Sequence, residues 1–314
     1  MHFVDNGLLY LRDVHQAYPV DNHIKTIING ISLLVKENEF ITVVGPSGSG
    51  KSTLLRMILG EEPPVKGEVL MGREVVDHPD RSRGIVFQSH SVFPHMTIQE
   101  NAASGLIWED SNLMDRVMGY SRLSPQHHAL KRRALDEAAT ILEEVGLGDH
   151  IRKYPDQLSG GQRQRVAIAG SMIMKPKILL MDEPFGALDV VTREQMQDFI
   201  IRMFETNDMS IIFITHSLDE AVYLATRIWV ISQFYEDDQP HEGSKIVTDI
   251  PVDAPYNRKW RESGEFAAIR EQLWNDGLDP GHKQHVRDFN LSHPHSIRCG
   301  VDERGAVVPS VGQE

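Results

Sequence analysis

The stretch Gly45-Pro46-Ser47-Gly48-Ser49-Gly50-Lys51-Ser52-Thr53 (GPSGSGKST) decides how the rest of the chain is read. It fits the phosphate-binding pattern G-x-x-x-x-G-K-[ST]. Its flanks fit as well. Phe40 to Val44 (FITVV) is a short β-branched run, and Leu54 to Leu59 (LLRMIL) reads as the first turns of a helix. Strand, glycine-rich turn and helix therefore follow one another. The glycines let backbone N–H groups face phosphate oxygens, and the helix start adds partial positive charge. Lys51 is in place to reach β- and γ-phosphates, and the Ser52 hydroxyl to ligate Mg²⁺.

Upstream, Leu8 to Val14 (LLYLRDV) reads as an edge strand, and Ile27 to Val35 (IINGISLLV) as a second strand of a small antiparallel sheet. Downstream, Gly67 to Met71 and Gly84 to Phe87 are further strands, the latter running into Gln88. The segment 107–126 shows no clear period. Ala129 to Val145 has the spacing of an amphipathic helix, closed by Gly146 and Gly148. LSGGQ (Leu158 to Gln162) opens another helix with Ser159 as N-cap. Lys177 to Met181 (KILLM) is a buried strand ending at Asp182 and Glu183, and Ser210 to Thr215 (SIIFIT) a strand ending at His216. Strands alternating with helices imply a mostly parallel sheet covered on both faces. Beyond Gln233 the composition changes. IVTDIPV is read as a short strand, Tyr256 to Trp274 as helix, and Asn275 to Glu314 as a polar, loosely ordered tail.

The bulk numbers bound the function. A chain of 314 residues allows one large α/β domain with an appendage, or two small domains, and 40% hydrophobic and 25% charged residues are ordinary for a soluble globular protein. A net charge of −13 argues against broad phosphate neutralisation, so no nucleic-acid partner is expected. The single cysteine, Cys299, excludes an intrachain disulfide and suits a reducing cytoplasm. The first residues lack the layout of a signal peptide, and no apolar run is long enough to span a membrane.

Acids at the carboxyl end of a buried strand, as at Asp182 and Glu183, suit Mg²⁺ binding and the polarising of a water. Ser159 with the N–H groups of Gly160 and Gly161 makes a second anion site at a helix start. Two phosphate sites on one chain make sense if two copies dock head to tail. With these motifs in this order, residues Leu8 to Ser232 resemble the ATPase subunit of an ABC transporter. The resemblance implies a P-loop NTPase fold, α/β, with an ABC ATPase core: a mostly parallel sheet with an antiparallel β subdomain, plus an α-helical signature subdomain at about 89–165 carrying the extended segment 107–126. Residues 1–235 would form this ATPase domain and 236–314 a C-terminal extension.

The resemblance also implies roles. Tyr18 would stack on adenine. Gly45, Pro46, Ser47, Gly48, Ser49, Gly50, Lys51, Ser52 and Thr53 would hold the phosphates. Gln88, the Q-loop residue, would touch Mg²⁺ or the attacking water and sense the membrane subunit. Ser159, Gly160, Gly161 and Gln162 would contact the partner's nucleotide. Asp182 would hold Mg²⁺ and Glu183 act as general base. Asp189, with Ala187 and Leu188, would cross to the partner, and His216 would bond the γ-phosphate. ATP and Mg²⁺ follow, as do a second ATPase subunit, transmembrane permease subunits and, indirectly, an extracytoplasmic solute-binding protein. The protein would sit peripherally on the cytoplasmic face of the cell membrane. EPFGALDVVTREQMQDFI and THSLDEAVYLATRIWVIS further resemble ATPases of the nitrate/sulfonate/taurine importer group.

Three positions depart from the family pattern: Asn38 in place of glycine, Gly170 in place of arginine, and Ser217 in place of aspartate after His216. The tail carries His282, His285, His293, His295 and Cys299, enough ligands for a metal, though a solvated tail is the plainer reading. Two rivals stand beside the importer. A non-transport ABC ATPase acting on ribosomes or DNA usually has tandem domains or a coiled-coil insertion. An exporter ATPase is often fused to its membrane domain.

Overall fold

The computed structural model describes residues 7–21, 23–88, 92–109, 125–186, 188–238, 240–301 and 307–311. In chain order the elements begin with β1 (Leu9–Val20), β2 (His23–Val35), β3 (Phe40–Val44), α1 (Lys51–Leu59), β4 (Lys66–Met71), β5 (Glu74–Val75) and β6 (Arg83–Val86). There follow α2 (Ile98–Glu109), α3 (Pro125–Glu144), α4 (Gly160–Met172), β7 (Ile178–Asp182), α5 (Val190–Thr206), β8 (Ser210–Ile214), α6 (Leu218–Leu224) and β9 (Arg227–Ser232). The last are β10 (Tyr235–Glu236), β11 (Lys245–Pro251), α7 (Gly264–Leu273), β12 (Gln284–His285), β13 (Ile297–Val301) and β14 (Val307–Val311). Residues 81–207 form one compact unit; those before 81 and after 207 form the other.

In the larger unit β3 pairs in parallel with β8 and with β9, and β11 closes the far side of β9 antiparallel. Every residue of β3, β8 and β9 is buried. That explains runs such as FITVV and SIIFI, which show no alternation because both faces are covered. The one hydroxyl in β3, Thr42 Oγ1, donates to the Ala221 carbonyl of α6 at 3.0 Å, so its burial leaves no group unmet. A second, antiparallel sheet has the order β2-β1-β4-β5.

Here β1 is not an edge strand. It extends to Val20 and lies between β2 and β4. Bulges between Leu11 and Ala17, with Asp13 at φ 45, break the two-residue rhythm and hide the strand's true length. Asn38 is at φ 59, a left-handed turn that asparagine tolerates better than most residues, which accounts for its standing in for glycine.

The segment after 275 also differs from expectation. Instead of a loose tail, residues 284–297 pack into the larger unit. The Asp249 amide donates to the Asn290 carbonyl at 2.8 Å, and the His293 amide to the Asp249 carbonyl at 3.0 Å. Beneath them lies a buried charge cluster. Arg227, 0% exposed, donates from Nε and Nη2 to the two carboxylate oxygens of Asp249, both at 2.7 Å, and from Nη1 to Glu39 at 3.2 Å and the Leu34 carbonyl at 2.8 Å. Trp229 Nε1 and Ser296 Oγ complete the shell of Asp249 at 3.1 and 2.6 Å. The family-like strand β9 and the C-terminal segment are thus tied through one carboxylate. A turn at Trp274–Leu278 brings Gly277 against the sheet, where an added Cβ would lie 2.5 Å from a Val230 methyl, so no larger residue fits. The helix foreseen from Tyr256 begins only at Gly264, where Ser263 caps it by accepting from the Phe266 amide.

In the smaller unit β6 and β7 pair in parallel. Helix α4 is anchored to β6 by Ser171 Oγ donating to the Ile85 carbonyl at 2.8 Å. Gly170 sits in α4 beside Ala102 of α2, where a Cβ would make ordinary contact at 3.5 Å. The segment 110–124, most of the unperiodic stretch, lies outside the described residues.

Candidate functional site

The phosphate loop begins where β3 ends. At Gly45 an added Cβ would lie 2.1 Å from the Ile231 carbonyl of β9, so only glycine lets the loop leave the sheet here. Gly50 is at φ 90 and starts α1 in the left-handed region. Having no side chain, it cannot cap the helix, and the first N–H groups of α1 are left to an external anion. Lys51 is buried and folds back over the loop, its Nζ donating to the carbonyls of Gly45 at 2.8 Å and Pro46 at 2.9 Å. Ser49 Oγ is buried and, among the described residues, has no hydrogen-bond partner. Around Gly48 a Cβ would meet nothing within 4 Å, so the loop's crest stays open. Ser52 is exposed at the helix start.

Tyr18 stands near the end of β1. Its hydroxyl donates to Glu62 Oε2 at 2.7 Å, while Gln16 holds the other oxygen of Glu62 at 2.6 Å. Burial and the Glu62 carboxylate push the phenol above its ordinary value, with the Thr53 hydroxyl acting the other way. Tyr18 and the phosphate loop are therefore neighbours. Glu62, which orients the ring, was not foreseen; it sits in a Glu-Pro-Pro turn that carries no motif. His216 follows β8 and is exposed. Its neighbours are fixed: Thr215 Oγ1 donates to Glu220 at 2.6 Å, and Ser217 caps α6 by accepting from the Glu220 amide. Serine and aspartate are both good N-caps, which explains how Ser217 can replace the usual aspartate.

A further wall was also missed. The loop after β9 reaches the phosphate loop, and a cavity of about 570 Å³ is lined by Ser47 and Gly48 together with Lys25, Gln233, His241 and Gly243. Parallel pairing of β3 and β9 puts their carboxyl ends side by side, and that topology was the available signal.

The smaller unit holds the other candidates. Asp182 ends β7, and Glu183 follows at φ 49, a left-handed conformation uncommon for a residue with a side chain. Gln88 Nε2 donates to Glu183 Oε2 at 3.0 Å, so two residues distant in sequence meet. Ser159 caps α4 reciprocally: its Oγ accepts from the Gln162 amide at 3.2 Å, and Gln162 Oε1 accepts from the Ser159 amide at 3.0 Å. Asp189 caps α5, accepting from the Thr192 amide at 3.0 Å and the Thr192 hydroxyl at 2.7 Å. The Thr192 amide and hydroxyl hold its carboxyl below the ordinary value. Its carboxylate thus serves its own helix. Ala187 lies outside the described residues. Among the described residues no group of three or more His, Cys, Asp or Glu is arranged to hold a metal. The amide oxygen of Gln88 and the carboxylate of Asp182, both in the smaller unit, are hard donors of the kind that suits Mg²⁺.

Comparison with known proteins gives the chain its relatives. The family described as ABC transporter matches residues 28–186. A nitrate import ATP-binding protein of Synechocystis sp. is 39% identical over 84% of this chain and 93% of its own length. An aliphatic sulfonates import ATP-binding protein of Bacillus licheniformis is 35% identical over 84% of this chain and 92% of its own. Among solved structures, a dimeric post-hydrolysis ATP-binding cassette bound to ADP and phosphate is similar with a TM-score of 0.64, at 27% identity, over 78% of this chain and 99% of that one.

Proposed function

This chain belongs to the ABC transporter family, and from that premise we propose how its residues divide the work of ATP hydrolysis. It is the ATP-binding and ATP-hydrolysing subunit of an importer, uses MgATP, and works as a dimer of cassettes with permease subunits at a membrane. Among the described residues no helix is long and apolar enough to cross that membrane.

The observation that carries the residue assignment is the phosphate loop: an uncapped α1, an unpartnered Ser49 hydroxyl and Lys51 curled over two loop carbonyls. These groups are unmet or internally bridged donors, and a triphosphate would satisfy them. In our reading the N–H groups of Gly48 to Thr53, with Lys51, hold the β- and γ-phosphates, and Tyr18 stacks on adenine. Bound Mg²⁺ would neutralise phosphate charge, with Ser52, Gln88 and Asp182 as its oxygen donors. Glu183, oriented by Gln88, takes a proton from the attacking water. As the water oxygen bonds to the γ-phosphorus, the bond to the bridging oxygen breaks, leaving ADP and phosphate. His216 and a second subunit's Ser159, Gly160, Gly161 and Gln162 spread the charge that develops. Val190 and Val191, 71% and 66% exposed beside Asp189, would face that subunit.

The names of the two relatives support a solute of the nitrate or sulfonate kind. Taurine as a further solute of that group, delivery by an extracytoplasmic binding protein and a place on the cytoplasmic face are our reading. Two experiments test the reading. Lys51→Ala should lose nucleotide affinity in a direct ATP-binding titration, and unchanged binding would remove Lys51 from the phosphates. After membrane solubilisation the chain should co-purify with its permease. Recovery with ribosomes instead would defeat the transport assignment.

A further inference from the structure

A second cavity, of about 630 Å³, lies away from the phosphate loop, among β2, β11 and the segment 286–297. Its apolar walls include Ile31 and Leu33 of β2, Ile246 of β11, and Phe289, Leu291 and Ile297 of the C-terminal segment. The volume lies within the range of small-molecule sites. Walls of this kind offer water few partners, so they favour an apolar occupant.

The charges around it are unequal in availability. Asp249 lines the cavity, but Arg227, Trp229 and Ser296 engage both of its oxygens. Arg287 is paired with Asp238. Asp237 is exposed. Lys245 is half-buried at the first residue of β11, and among the described residues its ammonium has neither an ion-pair nor a hydrogen-bond partner. A buried or half-buried ammonium without a partner is unfavourable, and an anion would relieve it.

From these observations we infer that the cavity binds a small amphipathic anion. Its carboxylate or sulfonate meets the Lys245 ammonium, and its aliphatic or aromatic body lies on Ile31, Leu33, Ile246 and Phe289. A nucleotide is a poor match, since a triphosphate needs several cations and a run of N–H donors. The inference does not depend on the ATPase reading. It gives the C-terminal segment a function of its own, because that segment supplies Val286, Phe289, Leu291 and Ile297 to the apolar walls.

Anilinonaphthalene sulfonate carries both chemical features and serves as the probe. It is titrated by fluorescence into the full folded chain, with and without saturating MgATP, alongside near-ultraviolet circular dichroism to verify native packing. One saturable site that MgATP leaves in place is expected. Lys245→Glu should raise the dissociation constant at least tenfold, and Leu291→Trp should abolish binding by filling the space. Lys245 is half-exposed, so Lys245→Glu decides the matter if Leu291→Trp fails to fold. Absence of a saturable site, displacement by MgATP, or an unchanged constant in Lys245→Glu would each overturn the inference.

Discussion

Two carboxylate clusters in this molecule are built to opposite specifications. Around Arg227 the charges are buried and saturated: Asp249 is bonded on both oxygens and Arg227 is wholly enclosed. Around Glu183 the charge lies nearer solvent, on a left-handed backbone, with Gln88 reaching it from an exposed position. The first arrangement resists change and holds two chain segments together. The second sets a carboxylate near solvent and places the backbone strain at one residue. Deep burial serves architecture, and a strained residue closer to solvent suits chemistry.

The contrast can be broken by exchanging what each cluster lacks. Glu183→Gln keeps the shape and removes the base. Hydrolysis should fall by roughly 10²–10⁴-fold while ATP binding persists and the dimer accumulates. Near-normal turnover in a phosphate-release assay would take Glu183 out of that role. Asp249→Ala should destabilise the fold by about 3–5 kcal/mol in urea unfolding, because it leaves a buried guanidinium uncompensated. Replacing Arg227 and Asp249 together by apolar residues of similar volume should recover most of that loss, and failure to recover would mean that Asp249 acts through more than charge.

Acid offers a gentler probe of the same cluster. Burial, then the Arg227 charge, lowers His293 from 6.5 to about 4, with His295 and Lys36 pushing the same way and Asp249 opposing. His293 Nε2 lies 3.8 Å from Glu39, yet at neutral pH the ring is uncharged and the contact is not an ion pair. Burial in turn raises the Glu39 carboxyl, against the pull of Arg227. Between pH 6.5 and 4 the unfolded chain binds a proton at His293 that the folded chain does not. The histidine contribution is therefore complete above 6.5 and is lost as pH falls towards 4. It amounts to at most roughly 3 kcal/mol, less the solvent screening at a partly exposed ring. His293→Gln should flatten that limb of the stability profile, and an unchanged profile would refute the assignment. The smallest effect belongs to Gln88→Ala. Stability should move by no more than about 0.5 kcal/mol, as for an exposed polar residue, while turnover drops. A large loss of stability would blur the distinction between the two clusters.

The loop, the strand-end acids and Ser159 as a helix cap could be read from sequence because each is set by residues a few positions apart. GPSGSGKST and LSGGQ carry their own backbone geometry in their glycines. What escaped reading is set across the chain. Bulges hid the full length of β1, the anchoring of Tyr18 depends on Glu62 44 positions away, and the packing of 284–297 depends on Asp249 meeting Asn290, His293 and Ser296. Polar composition suggested a loose tail. Polar residues can also be packed when one buried residue bonds several of them, as Asp249 does through its amide, its carbonyl and its carboxylate, and no local pattern announces that.

The reciprocal cap at Ser159 has a directional consequence. The hydroxyl oxygen already accepts from the Gln162 amide within its own helix, and the Ser159 amide is already taken by the Gln162 side chain. Among the described residues that exchange does not use the hydroxyl hydrogen or the first N–H groups of the helix, those of Gly160 and Gly161, which an α-helix leaves without an intrahelical acceptor. The start of α4 is therefore polarised: acceptors face inward and donors face whatever docks there. Such a surface repels a second donor-rich surface and welcomes an oxyanion, so two of these chains meeting face to face would need phosphate between them as the adhesive.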